Sequence, residues 1–134
     1  MNTPDIVLST TDYERLDALL AKLSTDSIGY DTLSQELDRA SVVAPEQLPA
    51  NVISMNSCVR FRLGNGKIST LTLVYPKDAG QSSNTISVLA PVGCALLGLK
   101  TGDTIVWPLP GGDMSTITVE DVVFQPEREG AYHR

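Results

Sequence analysis

Few residues in this chain are of a type that supports catalysis or metal binding. Its 134 residues include two cysteines and one histidine. Cys58 and Cys94 lie far apart and form no C-x-x-C pair, so neither a disulfide framework nor a zinc site is indicated. Their apolar surroundings predict that both are buried and reduced. His133 is next to last, where a frayed terminus cannot supply the rigid partners of a catalytic imidazole. We therefore expect no catalytic residue, no metal site, no cofactor and no enzyme activity.

The remaining candidates for chemistry are carboxylates, and they are concentrated at the N-terminal end. Residues 1–47 contain nine Asp and Glu against three Lys and Arg, whereas acids and bases balance in residues 48–134. The net charge of −6 therefore belongs to the first third of the chain. This concentration of negative charge indicates either an acidic, solvent-exposed helix face or an acidic protrusion that binds a basic or metal-bearing partner. It excludes a strongly basic nucleic-acid-binding surface.

The acidic third has the pattern of two short helices. Residues 5–8 predict a short strand, and Thr11 with Glu14 predicts a capping box at the start of the first helix. Leucines at helical spacing then predict helices over residues 11–23 and 31–41. A polar turn joins them, so we expect a short antiparallel helical hairpin, or coiled coil. Asp26 and Asp31 lie at its tip, where they are either partner-binding acids or simply a turn residue and a helix N-cap.

From residue 51 the pattern changes to the alternation of β-strands. Val59 and Phe61 alternate with arginines, and Gly64-Asn65-Gly66 predicts a tight turn into a return strand. Further strands are expected over 85–89, 104–107 and 117–124, a short helix over 91–98, a loop over 108–112 and a loose tail from 125. Gly98 is placed to end the short helix in the left-handed conformation. We therefore expect an α+β chain, with a hairpin over 1–47 and an antiparallel sheet domain over 48–134.

One run of residues resembles a known family. The segment Pro91–Gly98, followed by Lys100, Gly102-Asp103 and Pro110-Gly111-Gly112, resembles the C-terminal domain of the bacterial Gre transcript-cleavage factors. The order and spacing agree over residues 85–124, and the resemblance implies an FKBP-like fold. Leu37–Val43 resembles the end of the Gre coiled coil. With its short hairpin and the segment 52–61, the chain is similar, end to end, to the bacterial regulators of nucleoside diphosphate kinase, a Gre-like family with a shortened coiled coil.

The resemblance implies a protein partner, RNA polymerase, bound at the entrance of its secondary channel. Pro91 matches the proline of the Gre docking loop, whereas Leu89 and Ala90 replace an acidic residue and a serine, so these three are the expected polymerase contacts. In Gre factors, paired acids at the hairpin tip hold a second metal ion that activates water. A hairpin of about 20 Å, with Asp26 and Asp31 five positions apart, predicts binding in competition with Gre factors and no stimulation of cleavage.

Two other functions stay open. An FKBP-like fold suggests a prolyl isomerase, but fold does not carry function, and four of the seven aromatic residues lie outside 51–107. The second open function is direct contact with nucleoside diphosphate kinase. The chain has no kinase chemistry of its own, so any effect on that enzyme would be indirect or through contact. No apolar run reaches the roughly 20 residues of a membrane helix, and the N-terminus lacks signal-peptide features, so a cytoplasmic location is expected.

Overall fold

The computed structural model describes residues 5–27, 29–64, 66–80, 84–108, 114–128 and 130. These residues form an α+β structure. The helices are α1 (Thr10–Lys22), α2 (Tyr30–Arg39) and α3 (Pro91–Leu96). The strands are β1 (Val7–Ser9), β2 (Ser41–Val43), β3 (Cys58–Leu63), β4 (Ile68–Val74), β5 (Thr85–Ser87), β6 (Thr104–Pro108) and β7 (Met114–Phe124). Within this part of the chain, no helix has the length and apolar character needed to cross a bilayer.

The main sheet has five strands in the order β5-β4-β3-β7-β6. Central strand β3 pairs antiparallel with both neighbours, and the predicted alternation is confirmed, since Val59 and Phe61 are buried while Arg60 and Arg62 are exposed. The expectation of a purely antiparallel sheet is wrong at one edge, where β5 runs parallel to β4. The segment after β4 includes a short 3-10 helix over 76–78, and β5 begins at Thr85, opposite Thr72 of β4. The FKBP-like classification stays a prediction.

Strands β1 and β2 form a small parallel sheet beside the main one. Val7 pairs with Ser41, and the Ser41 amide donates to the carbonyl oxygen of Ile6 at 3.0 Å. The prediction that the second helix continues to residue 41 is therefore wrong, because α2 ends at Arg39. The β-branched pair Val42-Val43 favours an extended conformation once a partner strand is available.

Leucines from both long helices join the same hydrophobic core as the sheet. Leu16 and Leu20 of α1, and Leu33 and Leu37 of α2, are buried together with the inward side chains of β3, β4 and β7. Burying a leucine side chain contributes about 1.5–3 kcal/mol. The two helices therefore lie against the sheet rather than projecting into solvent. A domain boundary near residue 47 stays a prediction.

The short helix α3 has the ends that its sequence predicts. Pro91 occupies its first turn, and Gly98 follows it in the left-handed conformation with a φ of 79°. A β-carbon on Gly98 would lie 2.6 Å from the β-carbon of Ile6, so glycine also permits the close approach of β1. The predicted turns at Asn65 and over 109–112, together with His133, fall outside the described residues.

The prediction of a loose tail from residue 125 is wrong for its first residues. Gln125 is fully buried, and its side-chain amide donates to the carbonyl oxygens of Pro49 and Val52 at 2.8 and 2.7 Å. Arg128 donates to the carbonyl oxygen of Val123 at 2.9 Å. The two Gln125 bonds satisfy backbone oxygens of the irregular segment that precedes β3. No local pattern in the tail predicts them.

Replacement of Leu33 by alanine tests whether the helices and the sheet share one core. Leu33 is 0% exposed, and Leu33→Ala is expected to lower the free energy of unfolding by about 3 kcal/mol through cavity formation. The control Ile68→Ala, at a side chain 54% exposed, should cost about 1 kcal/mol or less. In urea titrations of both variants, helix circular dichroism and Trp107 fluorescence should change together. Loss of the helix signal at clearly lower urea would contradict a shared core.

Candidate functional site

Helix α1 begins with a side-chain cap that also brings a carboxylate into the interior. Ser9 is the N-cap, and its hydroxyl accepts the amide N–H of Asp12 at 3.1 Å. The predicted capping box at Thr11 and Glu14 is therefore wrong, because β1 carries the chain up to Ser9 in an extended conformation. Asp12 lies four positions before the buried Leu16, on the same face of the helix, and is 2% exposed.

Two carboxylates hold one turn of the chain, residues 54–57. Asp12 Oδ2 accepts the amide N–H of Met55 at 3.0 Å, and the Ser54 hydroxyl donates to Glu127 Oε1 at 2.6 Å. Within the turn, the Ser57 hydroxyl accepts the amide of Ser54 at 3.0 Å. We call these groups the carboxylate junction: Asp12, Glu127 and the 54–57 turn. It joins the start of α1 to the residues after β7.

The electrostatics of the carboxylate junction are unfavourable for a charged Asp12. Burial raises the pKa of Asp12 to about 7, against the smaller effect of its hydrogen bond from Met55. The negative charge of Glu127 raises this pKa further, and the positive charge of Arg15 lowers it. Burial also raises the pKa of Tyr75, beside the same groups, and the charge of Asp12 adds to that rise. Asp12 is thus an acid that changes its charge near neutral pH.

The segment between the two long helices lies against the loop that precedes α3. Gly29 is the N-cap of α2 and has a φ of 87°. A β-carbon placed on it would overlap the carbonyl oxygen of Leu89, so the two backbones touch. The structure therefore brings together two regions that lie 60 positions apart in sequence. Both are regions in which partner-binding residues are expected.

The expected partner-binding residues are all at least partly accessible. Asp26 and Asp31, on either side of Gly29, are exposed. The interpretation of Asp31 as a helix N-cap is wrong, because Gly29 is the N-cap of α2. Leu89 and Ala90 are half-buried, with Ala90 as the N-cap of α3, and so is Pro91 in its first turn. The contact between Gly29 and Leu89 brings the chain between Asp26 and Asp31 against the loop before α3. Their roles in binding a partner stay predictions.

The two cysteines differ in their surroundings. Cys94 is buried, and burial raises the pKa of its thiol to about 12, so it is inert as a nucleophile. Cys58 is only half-buried, which corrects the expectation that both are buried. Near Cys94, the buried carboxylate of Glu36 pairs with Arg39. Among the described residues, no three His, Cys, Asp or Glu side chains come together as a metal site.

A groove of about 820 Å³ separates α1 from the 3-10 helix over 76–78. It is lined by Arg15, Ala18, Leu19, Lys22, Asn56, Tyr75, Pro76, Lys77 and Asp78. Its positive side chains have negative groups nearby, because Asp78 also lines the groove and Arg15 lies near Asp12 of the carboxylate junction. Because charges of both signs are mixed along the groove, its lining does not select one class of ligand.

Comparison with known proteins gives the family. Residues 48–123 match the family model "Transcription elongation factor, GreA/GreB, C-term", and residues 4–43 match "Rnk N-terminus". The "Regulator of nucleoside diphosphate kinase" of Escherichia coli (strain K12) is 44% identical over 98% of both chains. The chain belongs to this family of regulators. The predicted resemblance to it is confirmed, and the Gre-like part of the chain is the part that contains the main sheet.

Two further relatives are named as Gre factors. A solved structure described as "Prokaryotic transcription elongation factor GreA/GreB from Nitrosomonas europaea" shares 50% identity with a TM-score of 0.72. It covers 90% of this chain and 99% of its own. A "Transcription elongation factor GreA" of Helicobacter hepaticus is 33% identical over 66% of this chain and 58% of its own length. The Nitrosomonas europaea structure matches this chain nearly end to end and supports the α+β fold described above.

Sequence reasoning missed the carboxylate junction. Asp12 looked like an ordinary acid of a first helical turn, and Glu127 like part of a polar tail. One signal was present, since Ser54 and Ser57 interrupt an otherwise apolar stretch at a spacing of three. Serines in such a stretch need hydrogen-bond partners once buried. The identity of those partners depends on contacts between distant parts of the chain.

The close contact at Gly29 can be tested by adding a single methyl group. Gly29→Ala places alanine in the left-handed backbone conformation, which costs about 1–2 kcal/mol. The added methyl group also overlaps Leu89. Gly66→Ala is the matched control, because Gly66 has a φ of 90° and nothing within 4 Å of the added carbon. We expect Gly29→Ala to be less stable than Gly66→Ala by at least about 1 kcal/mol in urea unfolding. Equal losses would mean that the turn does not press on Leu89.

Proposed function

We propose that this protein binds RNA polymerase at the entrance of the secondary channel, in competition with Gre factors, and does not stimulate transcript cleavage. It acts in the cytoplasm by binding rather than by catalysis. The observation that carries the proposal is the contact between Gly29 and Leu89, which joins the hairpin turn and the loop before α3 into one surface. The Gre-type family model over residues 48–123 supports RNA polymerase as the partner.

The chemistry of this surface suits docking. We expect its apolar centre at the half-buried Leu89, Ala90 and Pro91, with the exposed carboxylates Asp26 and Asp31 of the neighbouring turn at its rim. Interfaces commonly combine a buried apolar centre with a charged rim, and the rim charges mainly set association rate and specificity. We expect the partner surface to carry an apolar patch next to basic side chains.

The packing of the helices argues against a role in cleavage. A cleavage factor must carry paired acids to the catalytic magnesium ion of the polymerase, well beyond the site where the factor docks. Here Leu16 and Leu33 bury the hairpin against the sheet, and the turn itself rests on Leu89. The turn acids therefore stay beside the docking loop. A protein of this shape blocks the entrance without reaching the catalytic centre.

A second candidate function is direct contact with nucleoside diphosphate kinase. The observation that favours it is the name of the 44% identical relative, "Regulator of nucleoside diphosphate kinase". Under this alternative, the same surface of Leu89 and Asp26 would bind the kinase. The two candidates are distinguished by which purified protein this chain retains, the kinase or the core polymerase.

Competition with a Gre factor is the direct test. Core RNA polymerase is mixed with a labelled Gre factor, this protein is titrated in, and displacement and transcript cleavage are read in the same tubes. We expect displacement at micromolar concentrations with cleavage falling in parallel, because both proteins need the same entrance. Absence of displacement, or cleavage that rises with added protein, would contradict the proposal. In the first case, retention of the kinase would favour the second candidate.

A substitution in the docking loop tests which surface is used. Ala90→Glu places a charge in the apolar centre and should weaken polymerase binding at least tenfold, since burying an unpaired charge costs more than 1.4 kcal/mol. The control Thr70→Glu adds the same charge to an exposed position of β4 and should bind as the unmodified protein does. Both variants should unfold at similar urea concentrations. Equal affinity of the two variants for polymerase would place the interface elsewhere.

A further inference from the structure

The carboxylate junction joins three segments that are far apart in the chain. Asp12 belongs to the first turn of α1, and Glu127 follows β7. They bind consecutive residues of one turn, Met55 through its amide and Ser54 through its hydroxyl. The start of α1 is thereby tied to the same turn as the end of the last strand. Whatever weakens the bond of Asp12 to this turn weakens the attachment of α1.

Each element packed around Asp12 contributes a definite group. The 54–57 turn offers the amide of Met55, and the segment after β7 brings the negative Glu127. Its own helix brings the positive Arg15, and the residue after β4 is Tyr75, whose hydroxyl oxygen is buried. Arg15 lowers the pKa of Asp12 by less than Glu127 raises it. A negative charge on Asp12 is therefore poorly compensated in a site that is 2% exposed.

We propose that the carboxylate junction is a proton-controlled latch, which holds the start of α1 on the 54–57 turn most firmly when Asp12 is protonated. A proton on Asp12 removes the repulsion with Glu127 and leaves the carbonyl-type oxygen free to accept from Met55. Loss of that proton leaves two negative carboxylates bound to Ser54 and Met55, which are adjacent residues of one turn. The latch then loosens, and the first turns of α1 open more often.

The direction of the pH dependence follows from the two states of the latch. Closed, Asp12 has a pKa of about 7, raised mainly by burial; open, it is in water and has the ordinary value near 3.8. The open state therefore gains from ionisation between about pH 4 and pH 7, and the gain is complete above pH 7. Opening increases as the pH rises through this range and then levels off. The buried leucines keep the closed form in excess throughout.

Amide hydrogen exchange of the full chain measures this opening directly. After correction for the intrinsic exchange rate at each pH, the opening equilibrium of amides in α1 should be about tenfold smaller at pH 6 than at pH 8. Amides of β3, such as that of Val59, should change clearly less, because the latch acts on the helix. No pH dependence in α1, or an equal change in β3, would overturn the proposal.

Two variants and one control assign the effect to the junction. Asp12→Asn keeps an oxygen acceptor for Met55 and should abolish the tenfold difference, with protection at pH 8 at least as high as that of the unmodified protein at pH 6. The control Asp17→Asn, exposed on the same helix, should retain the tenfold difference. A full pH dependence in Asp12→Asn would overturn the assignment. So would its loss in Asp17→Asn.

A direct titration keeps the test decisive should Asp12→Asn fail to fold. The carboxyl carbon resonance of Asp12 is followed in the unmodified protein and in Glu127→Gln. We expect a midpoint near neutral pH in the first and a lower midpoint in the second, because the like charge has gone. A midpoint in the ordinary range of aspartate, or the same midpoint in both proteins, would overturn the latch. None of these measurements involves RNA polymerase, so their outcome is independent of the proposed function.

Discussion

The inner face of the five-stranded sheet is too apolar to be left in water, and its burial governs the rest of the molecule. The sheet side chains form one core with the leucines of α1 and α2 and with α3. Because Leu16 and Leu33 are buried in this core, the two helices do not extend into solvent as a free hairpin. Their connecting turn is brought down onto Leu89, and only glycine at position 29 allows that approach.

This packing requires polar groups to enter the interior where the segments meet. The irregular turn over 54–57 has backbone and hydroxyl groups that its own residues satisfy only in part. Asp12 and Glu127 supply the remaining acceptors. A charged Asp12 is unfavourable in such a site, since its carboxylate leaves water almost completely and lies near the like charge of Glu127. A neutral amide would bind the same donors at lower cost, so the acids make the junction responsive to protons.

The packing of the helices bears on how a chain with a Gre-type match over residues 48–123 can act. In a factor with a long free hairpin, reach and docking are separate functions of separate surfaces. Here the turn between α1 and α2 contacts the loop before α3 at Leu89. Under the proposed function, this contact lets one docking surface include Asp26, Ala90 and Pro91. Competition for an entrance needs only such a surface, whereas activation of water at a distant catalytic centre needs reach.

The sequence alone determined the features that depend on neighbouring residues. The alternation around Val59 specifies β3, the leucine spacing specifies α1 and α2, and Pro91 with Gly98 specifies the ends of α3, because each depends on local backbone geometry. Only the tertiary structure decided the parallel edge strand β5, the sheet formed by β1 and β2, and the carboxylate junction. Each of these is a contact between segments distant in the chain. Which partners a strand edge or a buried acid finds is decided by how the whole core closes, and no local pattern encodes that choice.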